Sequence, residues 1–240
     1  MNELWEKYCD MAEQCYMESM VGKSSLETWL ETYDMLKEAL LLEWKENPEF
    51  PREYDEVSWE LEDELDCCCD MVGWLDDFFD ELELFDAWDL VQEKAKEILH
   101  LFAWEEIRPD EFKLRIGKAL LEQAKQQETL EYCQNWYEEN ENNWLAATAL
   151  VSALTAIKDY EKAEALVEKF IGVETLCDDE NELFFGNAQQ LYEVQEKEEQ
   201  ARWIEEKINA YKTKESKKQK NIWNELKTMF YFDDEDELPF

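Results

Sequence analysis

Residues 159–166 read DYEKAEAL, and this stretch decides the fold because it belongs to a repeat that becomes visible past Pro109. The whole chain of 240 residues contains only 5 Gly and 4 Pro. Sheets joined by tight turns need more of these residues, whereas long helices with few breaks do not. The sequence therefore predicts an all-α fold.

The repeat resembles the tetratricopeptide repeat, in which an acidic and an aromatic residue precede a small residue early in the second helix of each hairpin. The DYEKAEAL stretch fits this pattern with Ala163 as the small residue. Thr129 then occupies the equivalent position 34 residues earlier, and Ala201 occupies it 38 residues later. The first spacing is the family period, and the second implies a short insertion near residues 177–180.

The first helix of each hairpin follows the same family pattern, with a small position and a large position three residues further on. The small positions are held by Gly117, Val151 and Gln189, and the large ones by Leu120, Leu154 and Tyr192. The usual small residue late in the second helix is replaced by Trp136, Phe170 and Ile208. A small residue lets two helices cross closely while large ones fill the gap beside it. The resemblance covers about residues 110–211 and implies a right-handed α-α superhelix of antiparallel helical hairpins.

In tetratricopeptide repeats, the first helices of successive hairpins line a concave groove that binds peptides. The positions that the resemblance assigns to this groove are Glu111, Leu114, Lys118, Glu122, Leu145, Thr148, Ser152, Thr155, Leu183, Gly186, Gln190 and Glu193. Chaperone-binding members of the family hold a peptide carboxylate with lysines and asparagines, and among these positions Lys118 is the sole lysine. The resemblance therefore implies a basic or mixed helix or extended peptide as the ligand.

The sequence before residue 108 has the layout of helical hairpins without the family motif. Apolar residues recur every three or four positions over residues 3–20, 24–45, 54–83 and 87–104, which predicts four helices. Ser24, Ser25 and Asp86 are candidate caps. The predicted organisation is hairpins over 1–107, repeats over 108–212, and a capping helix with an acidic tail over 213–240, all in one continuous solenoid.

The charge points to the class of partner. The formal net charge is -38, from 62 Asp and Glu against 24 Lys and Arg. Residues 1–108 hold 32 acids and 8 bases, a balance of −24, and the remainder has a balance of −14. Such a chain repels nucleic acids and anionic membranes and attracts basic partners at low salt. We expect a non-catalytic scaffold that binds a protein or peptide, with an acidic nucleic-acid mimic as the alternative.

Residue types that carry catalysis are sparse. His100 is the one histidine, so the Glu97-x-x-His100 pair lacks the second pair that a di-iron bundle needs. The thiols of Cys67, Cys68 and Cys69 diverge by about 100° per residue on a helix and cannot form a zinc site alone. The five glycines form no phosphate loop. We therefore expect no enzyme, metal or cofactor, and an enzyme stays a minor alternative.

Cysteine usage and the chain start predict a cytoplasmic protein. The 7 cysteines are odd in number and lie mostly on apolar helical faces, which favours reduced core thiols over a disulfide scaffold. The first residues, MNELWE, lack the pattern of a signal peptide, and no apolar run approaches the ~20 residues of a membrane span.

The last residues combine a lysine run over 212–220, a short amphipathic helix over about 222–230 and an acidic end over 233–237. A capping helix with a frayed end is the favoured interpretation. A peptide bound by another domain, or a helix exchanged between copies, remains an alternative, and the sequence leaves the oligomeric state open.

Overall fold

The protein is all-helical: in the computed structural model, residues 2–64, 70–104 and 108–230 are described, and within them eleven helices and no strand occur. Residues 64, 108 and 221–230 are described by their backbone alone. The helices are α1 (Leu4–Met20), α2 (Leu26–Glu46), α3 (Tyr54–Glu64), α4 (Met71–Leu84), α5 (Trp88–Leu101), α6 (Arg108–Glu122), α7 (Gln126–Glu139), α8 (Trp144–Ala156), α9 (Tyr160–Phe170), α10 (Glu182–Val194) and α11 (Glu198–Phe230).

The chain forms two compact units, residues 1–129 and residues 130–240. The first unit holds 36 acids and 12 bases, and the second holds 26 acids and 12 bases. The domain boundaries predicted after residues 107 and 212 stay predictions. The second of them lies within α11, which continues as one helix through the lysine run where the sequence predicts a separate short helix.

One turn geometry recurs at the ends of five helices. The second residue after each of these helices has a left-handed backbone, and the residue that follows it donates its N–H to a carbonyl five positions back, as Asp159 does to Leu154 at 2.9 Å. This is the pattern of a Schellman cap. The left-handed residues are Gly22 (φ 66°), Asp86 (φ 54°), Ala124 (φ 55°), Lys158 (φ 63°) and Glu196 (φ 58°).

The recurring turn agrees with the predicted register of the repeat. Thr129, Ala163 and Ala201 each lie five residues after a left-handed residue, and all three are buried. The predicted large positions also lie on the buried side: Leu120, Leu154 and Tyr192 each stand four residues before a left-handed residue. Of the predicted small positions, Gly117 and Val151 are buried and Gln189 is half-buried.

The insertion predicted near residues 177–180 corresponds to a long link between α9 and α10. Residues 171–181 form this link, whereas residues 140–143 suffice between α7 and α8. Asn181 is buried and organises the link, because its side chain accepts the N–H of Asp178 at 3.0 Å and donates to the carbonyl of Leu176 at 3.1 Å. Lys207 of α11 donates to the carbonyl of Thr175 at 2.6 Å.

The prediction of one long helix over residues 54–83 is wrong. Asp70 has an extended backbone and caps α4 by accepting the N–H of Gly73 at 2.6 Å, so α3 and α4 are separate helices. The first 107 residues therefore begin five helices rather than the predicted four. Asp86 is also no N-cap: it occupies the left-handed position after α4, and Ala87 precedes α5.

Aromatic side chains fill the core of residues 1–129. The indole of Trp74 is fully buried and lies 5.5 Å from the ring of Trp29, 5.4 Å from Phe78 and 5.7 Å from Tyr8. Tyr33 stacks on Phe78 at 4.9 Å. Rings of this size fill the space between α1, α2 and α4 with few side chains.

Small residues take a larger part in the core of residues 130–240, beside the buried rings of Phe184 and Phe185. Helix α8 is buried on most of its surface and packs against both α9 and α10. The buried alanines of this unit are Ala146, Ala147, Ala149, Ala153, Ala163, Ala188 and Ala201. Alanine lets helix axes approach closely, which is the packing that the repeat pattern requires.

Candidate functional site

The predicted groove residues lie on three helices and in both compact units. Glu111, Lys118 and Glu122 belong to α6 in the first unit, and Thr148, Ser152 and Thr155 belong to α8 in the second. Gln190 and Glu193 belong to α10. The combination of these residues into one binding surface stays a prediction.

The hydroxyl groups of α8 are turned into the protein rather than offered to a ligand. Thr148 is 3% exposed, and its hydroxyl donates to the carbonyl of Trp144 at 2.8 Å. Thr155 donates to the carbonyl of Val151 at 2.7 Å. Ser152 is half-buried and donates to Asn187 of α10 at 2.5 Å. These contacts link α8 to itself and to α10, which is a packing role.

The charged groove residues are more accessible. Lys118 is exposed at its head group, but its ammonium binds Glu83 and lies 5.5 Å from the ring centre of Trp88. On α10, Gln190 and Glu193 are exposed, and Glu193 accepts a hydrogen bond from Gln189 at 2.7 Å. Leu114 and Leu145 are half-buried, and Leu183 and Gly186 are exposed.

A surface cleft of about 380 Å³ opens between α10 and α11, and Glu193 is part of its wall. Its other charged lining residues are Glu196, Lys197, Glu198, Arg202 and Glu205. Lys197 is occupied by an ion pair with Glu164. The cleft is therefore mainly acidic, which fits the expectation of a basic ligand.

A local arrangement that the sequence interpretation missed recurs in both units: a cation lies over an aromatic ring while carboxylates hold its charged end. Arg115 lies 5.1 Å from the ring centre of Phe79 and pairs with Asp80 at 3.1 Å and Glu83 at 3.3 Å. The face of an aromatic ring attracts a cation that lies above it, and a nearby carboxylate strengthens the binding of that cation.

Three further cations repeat this arrangement. Lys94 lies 5.1 Å from the ring of Tyr33 and pairs with Glu97 at 3.3 Å. Lys169 lies 5.1 Å from the ring of Tyr137 and pairs with Glu141 at 2.7 Å. Lys118 joins Trp88 and Glu83 in the same way. The cation and the ring of each set lie at least 30 residues apart in sequence, so helical periodicity alone does not reveal their contact.

Helix α2 carries a row of exposed carboxylates on the side opposite its buried face. The residues of this acidic row are Glu27, Glu31, Asp34 and Glu38. Steps of four, three and four residues place them on one helical stripe. No lysine or arginine of the described chain forms an ion pair with any of the four.

Glu97 and His100 bind different partners in this structure. Glu97 accepts the hydroxyl of Tyr33 at 3.1 Å and pairs with Lys37 at 3.4 Å. Burial raises the pKa of the Glu97 carboxyl, but Lys94, Lys37 and the hydroxyl of Tyr33 outweigh burial, so the net pKa lies below its ordinary value. The ring Nδ1 of His100 lies 2.5 Å from the carbonyl of Lys96, on its own helix.

The cysteines of the described residues are free thiols, in keeping with the prediction of reduced cysteines. Burial raises the pKa of Cys133 to about 12. Burial and then the nearby Glu182 raise the pKa of Cys177 to about 11. Both thiols stay protonated at neutral pH and are poor nucleophiles. Cys67, Cys68 and Cys69 lie outside the described residues.

The described part of the chain contains no group of three or more His, Cys, Asp or Glu side chains arranged to hold a metal ion. Among its helices, none combines the length and apolar character needed to cross a lipid bilayer.

Comparison with known proteins finds no matching family, no matching curated protein and no matching solved structure. The likeness to tetratricopeptide repeats therefore rests on this chain alone: on its recurring turn, on the burial of Thr129, Ala163 and Ala201 after that turn, and on the small-residue core of α8.

Proposed function

We propose that the chain is a non-catalytic interaction protein that binds a basic protein or peptide through the acidic surface of residues 1–129. The observation that supports this most is the use of its charges. Lys37, Lys94, Arg115, Lys118 and Lys125 pair with acids of the same unit. The acidic row on α2 faces solvent, and no lysine or arginine whose side chain is described forms an ion pair with it.

The imbalance within residues 1–129 is large. Arg115 alone pairs with Asp80 and Glu83 and lies 3.7 Å from Asp76. Lys37 and Lys94 share Glu97. Because this unit holds 36 acidic and 12 basic residues, pairing within the unit leaves most of its carboxylates available to a basic partner.

A surface on which exposed carboxylates outnumber cations raises the local concentration of basic partners and speeds their association. Each exposed ion pair contributes only about 0.2–1 kcal/mol, so affinity requires several of them at once. Salt screens the attraction between exposed charges, with a Debye length of about 10 Å at 0.1 M salt. Binding should therefore weaken steeply as salt is added.

The acidic nucleic-acid mimic remains the second candidate because of the same surface. The acidic row spans residues 27–38 of α2, about 16 Å at 1.5 Å per residue. Duplex DNA carries roughly one charge per 1.7 Å of axis, or about ten charges over that length. The four carboxylates of the row are sparser than this, which favours a basic protein or peptide over a DNA-binding site as the partner.

The tetratricopeptide-like superhelix over about residues 110–211, its peptide-binding groove and a cytoplasmic location belong to this proposal. The recurring turn and the buried small residues support the superhelix. Small-angle X-ray scattering of the whole protein would test it, because a curved superhelix and a compact bundle give different distance distributions.

The test of the proposed function is calorimetric titration of the whole protein with a short oligo-arginine peptide. The first variant neutralises the acidic row by Glu27→Gln, Glu31→Gln, Asp34→Asn and Glu38→Gln. We expect a loss of about tenfold in affinity at low salt, from four weak exposed pairs. We also expect a shallower dependence of affinity on salt concentration.

A control variant removes the same number of charges from the second unit by Glu131→Gln, Glu161→Gln, Glu168→Gln and Glu206→Gln, all at exposed positions. Its affinity should stay within about twofold of the wild type. Equal losses in the two variants would show that net charge alone drives binding, and the absence of any binding would refute the proposed function.

A further inference from the structure

Helix α3 has two sharply different faces. Its buried face is formed by Tyr54, Val57, Ser58 and Leu61. At about 100° per residue, the opposite face carries Glu56, Trp59, Glu60 and Asp63 within an arc of about 100°. All four of these side chains are exposed, and Trp59 is 66% exposed. We call this set the α3 face.

The start of α3 is fixed firmly, so the direction of the α3 face is set by the fold. Tyr54 is buried against the rings of Phe102 at 5.1 Å and Trp104 at 4.8 Å. Its N–H donates to the carbonyl of Ala103 at 3.1 Å, and Ala103 donates to the carbonyl of Arg52 at 2.8 Å. The helix therefore presents Trp59 outward because Tyr54 is locked inward.

The α3 face contains two of the three parts of the arrangement that recurs in this protein. Arg115, Lys94, Lys118 and Lys169 each lie over an aromatic ring and pair with a carboxylate. On the α3 face, Glu56 and Asp63 stand three residues before and four residues after Trp59 and so neighbour its indole, and Glu60 stands at the other edge of the face. No described lysine or arginine lies over that indole.

Trp203 is an indole with a cation over its face, and the carbonyls of Val173 and Thr175, rather than a carboxylate, bind that cation. The ammonium of Lys207 lies 4.9 Å from the ring centre of Trp203, and this indole is 37% exposed. Trp59 is exposed almost twice as much. Tryptophan is the ring that attracts cations most strongly, and neighbouring carboxylates strengthen that attraction.

We propose that the α3 face binds a lysine or arginine side chain of the basic partner, with the cation over Trp59 and its charge held by Glu56, Glu60 and Asp63. This inference rests on the proposed function and adds a position and a chemistry to it. An apolar partner would leave three carboxylates desolvated without compensation, which is costly. A cation satisfies the ring and the carboxylates together.

The experiment uses the whole protein labelled with 5-fluorotryptophan and observed by fluorine NMR. The resonance of Trp59 is assigned by its absence in Trp59→Leu, and that of Trp203 by its absence in Trp203→Leu. Adding the oligo-arginine peptide should shift the Trp59 resonance in a saturable manner. The Trp203 resonance should stay in place, because Lys207 already covers that ring.

Affinity measurements complete the test. Trp59→Leu keeps an apolar side chain but removes the ring, and we expect it to weaken peptide binding about two- to fivefold. Glu60→Gln should weaken binding by a similar factor. Trp203→Leu is the matched control and should leave the affinity unchanged. Because Trp59 and Glu60 are exposed, neither substitution should alter the fold.

The outcomes separate this inference from the proposed function. If the peptide binds in the calorimeter while the Trp59 resonance stays in place, the α3 face is not the site, although the proposed function stands. If the resonance shifts but Trp203→Leu weakens binding as much as Trp59→Leu does, the inference also fails. If no binding heat is measured, the proposed function fails and the inference fails with it.

Discussion

Residues 1–129 and residues 130–240 end their helices with the same left-handed turn but fill their cores with different side chains. The first unit packs rings around Trp74, and the second packs alanines around α8. Gly22, Asp86 and Ala124 occupy the turn in the first unit, and Lys158 and Glu196 occupy it in the second. The turn is therefore compatible with two kinds of packing, and the small residues of the repeat motif serve the helix interface rather than the turn.

The two units also differ in the charges they bury. Glu43 and Lys94, the buried charged side chains among the described residues, both belong to the first unit. Glu43 accepts hydrogen bonds from the main-chain N–H and side chain of Asn2, each at 2.9 Å, and from the indole of Trp5 at 3.1 Å.

The largest expected effect breaks the ring-filled core. Trp74→Ala removes a fully buried indole in contact with three other rings, and we expect the free energy of unfolding to fall by about 3–5 kcal/mol. Urea unfolding followed by near-ultraviolet circular dichroism measures this. Trp59→Ala is the control and should change stability by less than about 0.5 kcal/mol. A small loss for Trp74→Ala would contradict the packing described for this unit.

The next effect tests the alanine-filled core. Ala163→Leu inserts a large side chain where Ala163 is fully buried, and overpacking should lower the free energy of unfolding by about 2 kcal/mol. Ala165 lies on the exposed side of the same helix, so Ala165→Leu should be nearly neutral. Equal unfolding midpoints in urea for the two variants would show that α9 does not pack closely through Ala163.

A smaller effect concerns the buried carboxylate of the first unit. Burial raises the pKa of Glu43, but hydrogen bonds from Asn2 and Trp5 outweigh burial and bring it below its ordinary 4.5. A depressed carboxyl pKa stabilises the fold above about pH 4.5, and this contribution is lost as the pH falls through the folded-state pKa. Glu43→Gln should therefore cost about 1.5 kcal/mol at pH 7.

The pH dependence provides the check on Glu43. Thermal unfolding at pH 7 and at successively lower pH should show the gap between wild type and Glu43→Gln closing in acid. Glu38→Gln, an exposed change on the same helix, should show no such gap at any pH. If the difference in thermal stability between wild type and Glu43→Gln does not change with pH, the charged form of Glu43 is not its cause.

The smallest effects concern the shared turn. A residue with a Cβ loses about 1–2 kcal/mol of stability when its backbone is left-handed. Glycine avoids this loss but gives up more backbone entropy on folding, so its net advantage is smaller. Lys158→Gly in the second unit should therefore stabilise the protein by about 0.5–1 kcal/mol. Gly22→Ala in the first unit should destabilise it by about 1 kcal/mol, since only the backbone angle opposes the new Cβ. Effects of the same sign in differential scanning calorimetry would show that the two turns are not equivalent.

The sequence predicts the second unit better than the first, and the reason is the size of its core residues. Small residues such as Ala163 and Ala201 recur at a fixed place after each turn, so spacing reveals the helix pairs. In the first unit, apolar residues continue at helical spacing across the break between α3 and α4. Asp70, which has an extended backbone, precedes α4, and periodicity does not register a single backbone angle.

The candidate site was harder to predict than the fold. The groove positions were assigned by family likeness, and Thr148 proved to be buried with its hydroxyl bound to its own helix. The acidic row on α2 could have been found from its four- and three-residue steps. The pairing of cations with distant rings could not, because Lys118 and Glu83 or Arg115 and Phe79 meet only in the folded chain.

The measurement that tests the account most directly is a titration of the isotopically labelled whole protein with the oligo-arginine peptide, followed residue by residue through amide chemical shifts. We expect the shifts to concentrate on the outer side of α2 and on α3 in residues 1–129, and to be small in residues 130–240 although that unit is also acidic. Shifts of equal size throughout both units, or shifts confined to residues 130–240, would contradict the account.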